Sequence, residues 1–88
     1  MEIYGRIHEI CEVQKGTSEK GDWQRQTVVV ESFDQPTSYT AFDAFNKNIN
    51  QLASLRVGQA VKAVGSATSR KGEKGWFTTL NLWAISPL

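Results

Sequence analysis

Cysteine, histidine, methionine and proline are all scarce in these 88 residues: one Cys, one His, one Met and two Pro. The lone thiol, Cys11, cannot staple the fold, which suits a reducing compartment and a buried strand position, without chemistry, for that residue. His8 stands three positions before it, so the two side chains point to opposite faces of a strand unless a bulge intervenes. Two ligands do not make a zinc site, and neither a metal nor a cofactor is expected. No Gly-rich loop follows a strand and opens a helix, and the acids are scattered singly without a matched acid/base pair. The expected protein is not an enzyme. No apolar run approaches the roughly 18 residues of a membrane span. The first residues, Met1 to Gly5, lack the basic and apolar blocks of a secretory signal, so a cytoplasmic location is expected.

What is present is the composition of one globular domain spanning residues 1–88, with 40% hydrophobic and 22% charged residues. Formal net charge is only +1, yet it is unevenly spread. Residues 1–45 carry Arg6, Lys15, Lys20 and Arg25 against eight acids, a balance of −4. Residues 46–88 carry Lys47, Arg56, Lys62, Arg70, Lys71 and Lys74 against Glu73 alone, a balance of +5. This asymmetry puts a positive stripe on one side of the fold if the second half gathers at the surface.

Period-two alternation dominates the chain. In EIYGRIHEICEV (2–13), Ile3, Gly5 and Ile7 share a face, Ile10 falls on the other, and Val13 returns to the first. That switch predicts a bulge near His8–Glu9 in a long, bent first strand. QKGTSEKGD (14–22) reads as a polar loop. WQRQTVVVES (23–32) and SYTAFDAF (38–45) read as strands around a turn marked by Asp34 and Pro36. NKNINQLASLRVG (46–58) breaks the alternation: Ile49, Leu52, Ala53 and Leu55 have helical spacing, with Asn46 as its expected cap. QAVKAVGSATSR (59–70) and WFTTLNLWAI (76–85) are the last two strands, joined by a hairpin. Three strands, a short helix and two strands make an all-β chain. The architecture this order predicts is a five-stranded OB-fold barrel with a short helix between its third and fourth strands.

The outer faces carry the functional signal. If Val28, Val30, Phe42 and Ala44 fill the barrel, then Trp23, Arg25, Tyr39 and Phe45 stand outside. Aromatic platforms there can stack on any base, each contributing roughly 1–3 kcal/mol. The loops after the first and fourth strands add Lys15 and Lys20 on one side, and Arg70, Lys71 and Lys74 on the other. Cations in those places follow phosphates. For any one of these rings, capping a barrel end or lining a dimer contact is an equally good explanation. For the set lying together, binding is the better one. Trp76 and Phe77 are neighbours, so one ring should enter the core and the other remain outside. Periodicity does not decide which, because Leu80 and Leu82 lie on one side and Trp83 and Ile85 on the other. Trp83, among apolar neighbours, reads as core or interface.

Five short elements, G-x-I at 5–7, W-x-x-Q at 23–26, A-F-D at 41–43, S-R-x(5)-W-F at 69–77 and W-A-I at 83–85, support a family resemblance. The chain resembles a group of short bacterial OB-fold proteins, long catalogued as a domain of unknown function. That group occurs among Bacteroidetes, their phages and mobile elements. It is similar in design to single-stranded DNA-binding proteins and the primosomal replication protein. The resemblance covers nearly the whole chain and implies an OB-fold that binds single-stranded nucleic acid. Arg70, Trp76 and Phe77 match its S-R…W-F element. Unlike the classical bacterial proteins, the sequence ends Ile85-Ser86-Pro87-Leu88 without an acidic tail, so recruitment of partner enzymes by that route is not expected.

The leading expectation is therefore a non-catalytic, sequence-tolerant single-stranded DNA-binding protein of replication, with RNA as the alternative ligand. Trp23, Tyr39, Phe45 and one of Trp76 and Phe77 stack, while Arg25, Arg70, Lys71 and Lys74 hold the backbone, with Lys15, Lys20 and Lys62 as lesser contacts. A homodimer through the last strand and Trp83 is expected. The rival reading is an OB-fold protein–protein interaction module of a replication or accessory complex. A carbohydrate-binding barrel ranks third.

Overall fold

A computed structural model describes all of residues 1–88. Six strands and one 3₁₀ helix follow one another: β1 (Glu2–Ile10), β2 (Gln14–Ser18), β3 (Gly21–Ser32), β4 (Tyr39–Phe45), the helix (Asn46–Leu52), β5 (Ala60–Gly72) and β6 (Gly75–Pro87). The sheet runs β1-β5-β6-β4-β3-β2, and β1 pairs with β3 as well, which closes it. The five expected strands correspond to β1, β3, β4, β5 and β6, with the helix between the third and fourth of them. This is the OB-fold architecture.

β1 serves two neighbours because it bends. Glu2–Arg6 pair with β5, while Gly5–Ile10 pair with β3. The register with β3 steps from Ile7↔Val30 to Glu9↔Val29, leaving His8 unpaired at the predicted bulge. A second bulge lies in β6, where Leu82 opposes Gly65 and Ala84 opposes Val64. Trp83 is the extra residue, and its presence lets Leu82 and Ile85 both turn inward.

Ile7, Val28, Val30, Phe42, Ala44, Val61, Ala63, Leu82 and Ile85 fill the barrel, and Leu52 and Leu55 close one end. Each large side chain that is fully buried there contributes about 1.5–3 kcal/mol. Only a single bridge, Asp43↔Asn81, pairs β4 with β6. Beyond it the helix covers the gap with amides. Gln51 accepts from the Ile85 N–H and donates to the Trp83 carbonyl, each at 3.0 Å, and Asn48 donates to the Leu82 carbonyl at 3.4 Å.

Two local expectations are corrected. Residues 14–18 are a strand, not a loop: they form a hairpin with Gly21–Arg25 around Glu19–Lys20, since polar side chains do not prevent backbone pairing along an open edge. The helix is shorter than its apolar spacing suggests, and Asn46 does not cap it. Asn46 has φ 51° and its Oδ1 accepts from the Gln24 N–H at 3.1 Å, which ties the helix start to β3. Ala53, expected on the apolar face, is exposed.

Candidate nucleic-acid interface

Two ribbons project beyond the barrel. One is the β2–β3 hairpin; the other is the outer half of β5–β6, whose register runs unbroken from Ala67↔Leu80 to Gly72↔Gly75. Between them lies the outer face of β3 and β4. The register Arg25↔Phe45 and Thr27↔Asp43 places these residues side by side on that face, opposite the buried pair Val28↔Phe42.

A groove of about 430 Å³ runs between this face and the β5–β6 arm. Trp23, Arg25, Asp43 and Phe45 form one side, and Thr68, Arg70, Thr79 and Asn81 the other. Arg25 Nη2 donates to Gln14 Oε1 of β2, which holds the guanidinium against the hairpin. Thr27 Oγ1 donates to Asp43 Oδ1 at 2.6 Å, and Asn81 Nδ2 donates to Thr68 Oγ1 at 2.9 Å. The one ion pair in the molecule joins Lys62 to Glu2 at 3.5 Å, so Arg25 and Arg70 have no carboxylate partner. Their charge is not neutralised by an ion pair within the molecule.

Pairing parity settles where the arm's side chains face. Arg70 opposes Phe77, and both share the groove side with Thr68 and Thr79. Lys71 opposes Trp76 on the other side, which continues the inward face of Leu80 and Leu82. Neither ring enters the core: Trp76 is 70% exposed and Phe77 57%. The expectation of one buried ring fails because the arm outruns the barrel, leaving nothing for either face to bury against. Phe77 instead lies over Gly72, where a Cβ would meet its Cε2 at 2.4 Å. Lys74 sits in the turn at the tip.

The remaining expected residues are dispersed. Tyr39 is on the same outer face, but six residues along β4 from Phe45, about 20 Å away. It packs on His8 instead, ring centroids 4.8 Å apart. Lys15 and Trp23 line a second hollow of about 400 Å³ on the β2–β3 hairpin, and Lys20 occupies its turn. Lys62 lies over Tyr4 as well as pairing with Glu2, away from the groove. Trp83 is 62% exposed, which removes the core reading. Sequence reading missed Thr68, Thr79, Asn81 and Asp43; the short alternating stretch that holds Arg70 and Phe77 was the available signal for the first three. No group of side chains suited to a metal ion is present. No helix is long and apolar enough to cross a membrane.

The same architecture occurs in solved structures. Over 100% of this chain and 92% of the other, it is similar to a crystal form of Rim1, a mitochondrial single-stranded DNA-binding protein from S. cerevisiae, with TM-score 0.77 and 27% identity. A second form of Rim1 matches with TM-score 0.66 and 25% identity, over 100% of this chain and 91% of that one. The likeness to single-stranded DNA-binding proteins thus extends across the barrel and both ribbons. No curated protein matches the chain. Residues 2–86 match the family described as a domain of unknown function (DUF3127), and the chain belongs to that family.

Proposed function

We propose that this protein binds single-stranded DNA, without catalysis and largely without regard to sequence. The observation that carries the proposal is the groove in which Trp23 and Phe45 converge with Arg25 and Arg70, two guanidiniums free of ion pairs. The rings supply stacking platforms and the guanidiniums supply phosphate contacts. Phe77 extends the platform along the arm, and Lys71, Lys74 and Trp76 offer further contacts on its tip and reverse side. Whole-chain similarity to a mitochondrial single-stranded DNA-binding protein supports the same reading. Tyr39 has no part in the track, because of its distance from the groove and its packing on His8.

A homodimer is part of the proposal. Trp83 stands on the outside of β6, and an exposed indole is a natural centre for a contact between copies. Strand pairing at 83–85 is not the route, since Gln51 already holds the Trp83 carbonyl and the Ile85 N–H.

Titration with (dT)12 at low salt, read by tryptophan fluorescence, tests the function. Quenching that weakens steeply as salt rises is the expected result, because binding releases counterions. A folded sample that shows no quenching at low salt overturns it. Binding of a replication protein that is insensitive to salt, with no affinity for the oligonucleotide, would favour the interaction-module reading.

A further inference from the structure

The groove contains one group that a purely phosphate-following track does not need. Asp43 lies at the seam where β4 meets β6, paired directly with Asn81. It is half-buried, lines the same groove as Arg25 and Arg70, and forms no ion pair with either. A carboxylate there repels phosphate. The nucleic-acid backbone must therefore pass to the sides, over Arg25 and Arg70, and leave a base above Asp43. Trp23 and Phe45 supply the ring surfaces that hold such a base.

Resting on the nucleic-acid reading above, we propose that Asp43 and Asn81 make one base position of the track selective for guanine and adverse to thymine. An ionised carboxylate only accepts hydrogen bonds. Guanine places two donors, N1–H and N2–H, side by side next to the O6 acceptor. Asp43 matches the two donors. Thr27 Oγ1 donates to its Oδ1 at 2.6 Å, which orients the group and leaves Oδ2 and the second lone pair of Oδ1 for the two donors. Asn81 matches O6: one proton of its Nδ2 goes to Thr68 at 2.9 Å and the second is unused. Thymine offers a single N3–H between two carbonyl oxygens, and those oxygens meet the carboxylate with like polarity. Cytosine and adenine each present one amine beside a ring acceptor and rank between.

The test compares (dT)12 with the same 12-mer carrying one central dG, and with one carrying a central dC, by fluorescence titration at fixed low salt. Wild-type protein should bind the dG oligonucleotide about tenfold more tightly than (dT)12, with dC between. Asp43→Asn, nearly isosteric and still able to accept from Thr27, should bring the dG-to-dT ratio close to one. Equal affinity of the wild type for all three oligonucleotides overturns the selectivity and leaves single-strand binding standing. A preference for dG that survives in Asp43→Asn also overturns it. Absence of binding to any of the three removes both proposals together.

Discussion

The indole of Trp23 packs against Gly16 on the neighbouring strand: a Cβ added to Gly16 would come within 2.3 Å of the indole Cζ2. The two residues are direct cross-strand partners in the β2–β3 hairpin. Only a residue without a side chain lets the ring settle there, half-buried and lining the groove.

Gly16→Ala should therefore act through Trp23. The obstructing atoms belong to the far end of a side chain, so the ring can swing away at little cost to the fold. Oligonucleotide affinity should fall severalfold with thermal stability nearly unchanged. Trp23→Ala should lose roughly 1–3 kcal/mol of binding. If either variant unfolds at room temperature by circular dichroism, Trp23 is a structural residue and not a platform.

The two exposed rings outside the central groove should separate cleanly. Phe77→Ala removes a ring on the groove side of the arm and should weaken binding by roughly 1–3 kcal/mol. Tyr39→Ala, about 20 Å along the strand, should change it by less than about 0.5 kcal/mol. Comparable losses in both would mean that the strand runs along β4 and not between the ribbons.

Arg70 has a signature of its own. Log Kd plotted against log salt should lose about one phosphate's worth of slope in Arg70→Ala, roughly 0.7 units for a single strand, whatever the oligonucleotide's sequence. Lys62→Ala should leave the slope unchanged, since Lys62 is occupied by Glu2 on another face. An unaltered slope in Arg70→Ala would take Arg70 off the backbone.

Self-association should depend on Trp83. Sedimentation of wild type should give a dimer, and Trp83→Ala should shift it toward monomer without loss of secondary structure, as the side chain is 62% exposed. A wild-type monomer at high protein concentration rejects the dimer.

Cys11, expected buried in a strand, instead lies half-buried just past the end of β1, and it should react slowly for an accessible thiol. Its Sγ donates to Glu9 Oε2 at 3.1 Å, and that hydrogen bond, followed by partial burial and the charges of Glu9 and Asp43, raises its pKa above the ordinary 9.0. The folded state therefore holds this proton more tightly than the unfolded chain. The associated stability is complete below the unfolded value and is lost as pH rises through the folded one. Alkylation by iodoacetamide near pH 8.5 should be slower than for a free thiol, and Glu9→Gln should speed it. Equal rates in the two proteins would contradict the assignment.

Much of this was readable beforehand. The break in alternation at Ile7 and Ile10 marks the β1 bulge, because a change of buried face demands an extra residue. Trp23, Arg25 and Phe45 were legible as outward-facing from the inward phase of Val28, Val30, Phe42 and Ala44. The fate of Trp76 and Phe77 was not, since alternation says that neighbours face apart but not whether a second layer exists beneath either one. Trp83 misled for a related reason: a bulge at that residue resets the phase, and its apolar neighbours hide the step.

Local covalent order thus determined the strands, the barrel-filling residues and the store of aromatics and cations, since backbone pleat and turn chemistry act over a few residues. Closure of the sheet decided which of them meet. Arg25 and Arg70, 45 positions apart, flank one groove only because β4 reaches β6 through the Asp43–Asn81 bridge, and the same closure leaves Tyr39 beside His8. Distances across a barrel are set by strand order and register, which depend on the packing of the whole core and not on any one segment.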